Sequence, residues 1–248
     1  MDYLLKITLI GLVSGMIGTG IGGLTVFFVS AINRRLLSLL LEFSAGLMTA
    51  VVCFKLLPEA IDFAGLVLTL AGVAAGVLSI ISVEEVMNKK DGRKAVKKRS
   101  GLLRAGILMS IGIALHNFPE GFAIGAGFEA SASLGILLTA IIVIHDIPEG
   151  VAMAVPMKLG GYSSKKAFML TLLSGTPMGM GTLLGAVLGR ISTGYVGVCL
   201  GFAAGAMLYV VYAELIIESK KLYMGRLPSL GNVTGIVCGI IISIASNG

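Results

Sequence analysis

Long apolar stretches separated by short polar connections dominate the pattern of this chain. Eight of these stretches are long enough, at about 20 mostly apolar residues each, to cross a bilayer as helices. They cover residues 7–32, 36–57, 66–87, 102–125, 133–157, 167–189, 195–218 and 228–246. The pattern therefore predicts an all-α integral membrane protein with eight transmembrane helices in one domain, 1–248.

Basic residues are distributed unevenly between the two sides of this predicted helix bundle. All but three of the 19 Lys and Arg residues lie in every second connection, and many of them cluster in the long connection 88–101. The opposite side holds only Lys6, Lys55 and Arg190. The positive-inside rule therefore predicts a multi-pass protein of the cell membrane with both termini outside. The basic loop is interpreted as a topology signal and not as a nucleic-acid site.

The composition supports a membrane location and leaves the role of the outer acids open. The chain is 56% hydrophobic and only 13% charged, which a soluble domain of this size could not bury. The outer connections are predicted to carry Glu59, Asp62 and Glu129. These acids would either raise the cation concentration at the outer mouth or be ordinary solvated loop charges.

An internal repeat relates the first and last thirds of the chain. Residues 43–60 resemble 202–219 at a fixed offset of 159, and the offset persists in the next span. Spans 1–3 therefore resemble spans 6–8. Because five spans separate the copies, the second copy is reversed in the membrane, a common plan for secondary transporters. The predicted division is a first repeat (1–87), a cytoplasmic loop (88–101), a central helix pair (102–157) and a second repeat (158–248).

Candidate chemistry is concentrated in two phrases on the central helix pair. The chain has only two histidines, and they begin the phrases HNFPEG (116–121) and HDIPEG (145–150). On a helix, residues i and i+4 share a face, so each histidine points with the glutamate of its phrase. The intervening carboxamide or aspartate is turned by about 100°. The candidate metal ligands are His116, Asn117, Glu120, His145, Asp146 and Glu149.

The energetic cost of these groups indicates a metal site. Carboxylates such as Glu120, Asp146 and Glu149 at mid-membrane cost about 2.5–3.5 kcal/mol each unless they are paired, coordinated or hydrated. The helix-interior prolines Pro119 and Pro148 each leave a backbone carbonyl without its helical partner beside these ligands. Imidazole and carboxylate together suit zinc and other first-row divalent ions. The alternative is a buried, hydrogen-bonded polar cluster without metal.

The doubled H-[ND]-x-P-E-G phrase on adjacent central spans resembles the ZIP (Zrt/Irt-like) family of divalent metal transporters. The resemblance implies a non-enzymatic transporter, a homodimer, a 3+2+3 inverted arrangement and two neighbouring metal sites bridged by the phrase glutamates. It also implies a weaker first-site role for Met48 and a weaker role for Glu214 on the exit route. The first site would use His116, Glu120, His145 and Glu149, and the second Asn117, Glu120, Asp146 and Glu149.

Two departures from the family pattern bear on selectivity and regulation. Many relatives carry an acid in span 6 shortly after a Ser-Gly pair, where this chain has Met178 after Ser174-Gly175. This puts the strength and selectivity of the second site in question. The connection 88–101 also contains no histidine, unlike that of many relatives.

Three functional classes are compatible with histidines in a membrane. The first, divalent metal transport into the cytoplasm with zinc as the main substrate, accounts for the histidines and the carboxylates. A haem protein with His116 and His145 as axial ligands leaves the acids unexplained. An intramembrane zinc hydrolase needs a metal-bound water at an open position, and the chain contains no HExxH motif.

Overall fold

The computed structural model describes residues 2–28, 33–89 and 101–245, and helices make up almost all of them. Residues 90–100 of the predicted basic connection lie outside this description. The α-helices are α1 (Asp2–Leu24), α2 (Arg34–Val51), α3 (Leu57–Lys89), α4 (Gly101–Ala130), α5 (Ala132–Leu159), α6 (Ser164–Ser174), α7 (Pro177–Gly189), α8 (Thr193–Val210), α9 (Ile216–Leu222) and α10 (Leu227–Ala245).

Within the described residues, six helical segments are long and apolar enough to cross a membrane. They are Tyr3–Phe27, Arg34–Ser82, Ala132–Leu159, Ser164–Gly189, Thr193–Leu222 and Leu227–Ile244. The second contains 49 residues, about 74 Å of helix, which is more than twice the thickness of a bilayer core. The prediction of an all-helical integral membrane protein is therefore confirmed at this level.

Two π-helical turns and one glycine break shape the long segment and its counterpart. A π turn at Val52–Leu56 joins α2 to α3, and a second at Val211–Leu215 joins α8 to α9, exactly as far apart as the sequence repeat offset. Inside α3, Gly65 has φ 73° and ψ 164°, a conformation that residues other than glycine rarely adopt. Helix α3 therefore changes direction at this residue.

The ends of several helices differ from the predicted connections. Glu59 and Asp62 lie on α3, before its break at Gly65, and Glu129 lies on the last turn of α4, so the residues of these predicted connections are helical. The sixth predicted span consists of two helices, since Pro177 begins a new helix after Gly175.

Helix pairs pack at close range through small residues, and the contacts recur at the repeat offset. Helix α3 packs on α8, and α2 packs on α10. A Cβ atom placed on Gly72 would lie 2.6 Å from the Val198 carbonyl oxygen, and one on Gly231 would lie 2.6 Å from that of Leu39. Each residue of the second contact lies 159 positions from its counterpart in the first. Both contacts need glycine, because any side chain would meet backbone.

The central helices α4 and α5 pack against each other and contact α1 as well, while α7 packs on α4. The one-residue connection between them is Ser131, whose side chain caps α5 by accepting a hydrogen bond from the Leu134 N–H at 3.1 Å. So tight a turn forces α4 and α5 to run antiparallel, which brings their middle turns to the same depth. The two sequence phrases therefore face each other.

Candidate metal centre

Three ionisable side chains converge between α4 and α5. His145 Nε2 lies 2.8 Å from Glu120 Oε1 and 3.5 Å from Asp146 Oδ1. One ligand atom from each of these residues lies within 4.8 Å of the others. All three side chains are buried, with residue exposures of 1% or less. This is the spacing at which one small cation can touch all three groups.

The cluster contains potential metal-binding atoms that have no hydrogen-bond partner among the described residues. Glu120 Oε2 and His145 Nδ1 are buried and make no hydrogen bond among the described groups. A buried polar atom left in this state costs about 1–3 kcal/mol. Coordination of a cation by the carboxylate would recover that free energy, and it would also offset the cost of holding the anions away from water.

Two further predicted ligands surround the cluster. Glu149 is completely buried one turn after His145 on α5. Asn117 is also completely buried, and its Nδ2 donates a hydrogen bond to the Ser174 carbonyl oxygen at 2.8 Å. That bond leaves the amide oxygen, which is the metal-binding atom of an asparagine, without a described hydrogen bond. His116 lies on α4, but its side chain is outside the part that the structure describes.

Helices outside the central pair hold the cluster in place. Ser44 on α2 donates a hydrogen bond to the His145 carbonyl oxygen at 2.7 Å, which fixes the backbone of the second phrase. On α1, a Cβ atom placed on Gly18 would lie 2.5 Å from the Asp146 Cβ atom. Gly18 therefore allows close packing of α1 against α5.

Met48 shares an apolar crevice with the cluster. The crevice is lined by Met48 and His145 together with other residues of α2, the first π turn, α4, α5 and α8, namely Val51, Leu56, Ala123, Leu138, Ile141, Ile142 and Met207. Met48 is completely buried. Apart from His145, the crevice is lined by apolar side chains.

Glu214 and Met178 lie near other parts of α4. Glu214 stands on the second π turn, and its carboxylate approaches Gly112, where an added Cβ would lie 2.5 Å from Oε2. Gly112 precedes Glu120 by two helical turns. Met178 is completely buried at the start of α7, and its sulfur accepts a hydrogen bond from Ser14 at 3.6 Å. The Met178 backbone lies close to Gly121, which is the residue after Glu120.

Sequence reasoning alone did not assign positioning roles to Ser44, Gly18 and Ser174. Ser44 lies within the repeated segment 43–60, and Ser174 belongs to the Ser-Gly pair that precedes Met178. Their contacts with the two phrases depend on how α1, α2 and α6 dock on the central pair. Nothing in a single sequence specifies that docking.

Comparison with known proteins gives a consistent family. A family model described as "ZIP Zinc transporter" matches residues 82–247. The chain is 33% identical to the zinc transporter ZupT of Clostridium perfringens, over 96% of this chain and 94% of that protein. It is 36% identical to that of Chlorobium phaeovibrioides over 95% and 96% of the two chains. With the protein of Streptococcus mutans it shares 32% identity over 89% of this chain and 90% of the other.

Proposed function

Because the chain belongs to the ZIP zinc transporter family, we propose that it moves zinc across the membrane through the buried cluster between α4 and α5. The protein is a transporter of divalent metal and not an enzyme. The relatives are transporters, so neither the haem protein nor the intramembrane hydrolase is favoured.

One observation supports the location of the site above all others, the convergence of Glu120, His145 and Asp146 within 4.8 Å inside the apolar bundle. Mixed imidazole and carboxylate ligands suit Zn²⁺, which takes nitrogen at about 2.0–2.1 Å and oxygen at about 2.0–2.2 Å. In this proposal Glu149, Asn117 and His116 complete the ligand set as the ion moves through. Met48 stands above the site, and Glu214 lies on the exit route.

The arrangement of the helices that we propose is eight spans in a 3+2+3 inverted plan. The break at Gly65 divides the long segment Arg34–Ser82 into two crossings, and α4 supplies one more. The contacts that recur at an offset of 159 residues support a repeat on either side of the central pair. The same proposal includes a homodimer in the cell membrane with both termini outside.

This geometry suggests alternating access as the mechanism. The ion is held between α4 and α5, while the two repeat-related bundles rock to expose the cluster to one side at a time. The carboxylates bind the ion because it neutralises charges that are costly in an apolar medium. They release it once water reaches the cluster from the cytoplasmic side, since hydration removes that cost.

Zinc binding to the purified protein tests the site. We expect a Glu120→Gln variant to bind zinc at least tenfold more weakly, because it loses one charged ligand and keeps its shape. The matched control is Glu129→Gln on the same helix, whose carboxylate pairs with Arg190 at 3.0 Å instead. X-ray absorption should report nitrogen and oxygen neighbours. Full affinity in Glu120→Gln would place the zinc elsewhere.

A further inference from the structure

A stripe of buried side chains leads away from the cluster along α2, the first π turn and α3. Met48, Val51 and Leu56 on this stripe line the crevice beside His145. Lys55 lies on the same buried side of the helix and is only 7% exposed. A lysine so deeply buried in an apolar bundle is costly, which points to a functional role.

The Lys55 ammonium pairs with a carboxylate one turn further along the helix. Lys55 Nζ lies 3.3 Å from Glu59 Oε1, and the side-chain exposures are 9% and 30%. The pair thus extends from the buried stripe toward the open end of the helix. Lysine four residues before glutamate is the weaker order for stabilising a helix. Helix stability therefore explains the pair poorly.

The repeat offset assigns Lys55 a counterpart of opposite charge. Position 55 corresponds to Glu214, since each is the fourth residue of its π turn. The Glu214 carboxylate lies against Gly112 on the central helix α4. In the inverted arrangement proposed above, these equivalent positions face opposite sides of the membrane. The chain therefore carries a cation at one end of the bundle and an anion at the equivalent place on the other.

We propose that Lys55 controls the entry of metal ions at the outer entrance of the metal route. Its ammonium, held by Glu59, lies on the residue before Leu56, which lines the crevice beside His145. An incoming divalent ion is repelled by this charge and must separate the pair, after which the Glu59 carboxylate becomes its first protein contact. The inference rests on the proposed function and topology.

The test is zinc influx into liposomes by Lys55→Met and Glu59→Gln variants. Methionine keeps an unbranched apolar stem of similar length and removes the charge. At low ionic strength we expect the apparent KM of Lys55→Met to fall about threefold to fivefold, the size of one charge acting through water on a divalent ion at roughly 10 Å. The maximal rate and the equilibrium zinc affinity should not change. Glu59→Gln, which leaves the cation uncompensated, should raise the KM.

Salt and a matched variant separate this charge effect from a structural one. Added monovalent salt should lower the KM of the wild type, because it screens the Lys55 charge. It should have less effect on Lys55→Met, which lacks that charge. The control is Arg190→Met, another cation on the predicted outer side, paired with Glu129 away from the crevice. It should leave the KM unchanged.

The inference is overturned by an unchanged KM in Lys55→Met, or by equal effects of Lys55→Met and Arg190→Met. A parallel change in maximal rate and equilibrium affinity would also overturn it, as this would indicate a structural role. Failure of the proposed function gives a different result, namely zinc influx that persists without Glu120 and Glu149. In that case the KM of Lys55→Met still shows whether the Lys55 charge affects the entry of zinc.

Discussion

At the scale of single residues, the central fact is that acids and a histidine lie together where water does not reach. Glu120, Asp146 and Glu149 are each fully buried, and in our proposal their burial is tolerable because they share one metal site. Such a site needs exact ligand positions, and these come from neighbours that are not ligands. Ser44 is the clearest of them, since its hydroxyl fixes the carbonyl of His145 from a different helix.

We expect Ser44→Ala to weaken zinc binding about threefold to tenfold without unfolding the protein. The variant loses one hydrogen bond that orients the second phrase, and outer-shell partners of metal ligands typically have effects of about this size or larger. Ser38→Ala on the same helix is the matched control, because its hydroxyl bonds Ser219 and not the site. Calorimetric zinc titration would measure both. Equal affinities in the two variants would contradict the positioning role.

At the scale of helices, the sequence was most informative where spacing alone determines the geometry. Two H-[ND]-x-P-E-G phrases on adjacent spans had to face each other once a one-residue turn joined α4 to α5. The π turns were not predictable, because hydropathy does not distinguish a π turn from an α turn. Nor does hydropathy show that α3 begins at Leu57, before the predicted span 66–87. The break between α6 and α7 lies inside one predicted span, although Gly175 and Pro177 are residues that commonly end and begin helices.

The packing of α1 against α5 should be intolerant of even one methyl group. A Cβ on Gly18 would lie 2.5 Å from the Asp146 Cβ and would push a proposed ligand out of place. We expect Gly18→Ala to destabilise the protein by about 1–3 kcal/mol and to weaken zinc binding. Gly194→Ala should do neither, as the nearest atom to its added Cβ is 3.7 Å away. Thermal unfolding in detergent with and without zinc would compare them, and a wild-type-like Gly18→Ala would refute the packing argument.

At the scale of the whole molecule, the equivalent contacts at an offset of 159 residues are consistent with two halves of opposite orientation around a central pair. In this proposed plan, the transporter would have two similar bundles whose equivalent positions would face opposite sides of the membrane. The sequence repeat suggested the plan, but hydropathy could not show which helices touch. The cross-packing of α2 on α10 and of α3 on α8 supplies that information.

Labelling of single cysteines in intact cells would test the orientation of the molecule. In a background without the native cysteines, Ile191→Cys should react with a membrane-impermeant maleimide, because it is 59% exposed at the predicted outer end of α7. Lys165→Cys, exposed in the first turn of α6, should react only after the membrane is permeabilised. The reverse pattern would contradict the assignment of both termini to the outside.

Zinc influx into liposomes is the most direct test of the claim that the ion crosses between α4 and α5. The wild-type protein should carry zinc, and Glu120→Ala/Glu149→Ala should lose nearly all influx, because both helices lose a buried carboxylate ligand. Glu129→Ala, which alters an acid at the end of α4, should retain it. A folded double variant that carries zinc at the wild-type rate would contradict the account.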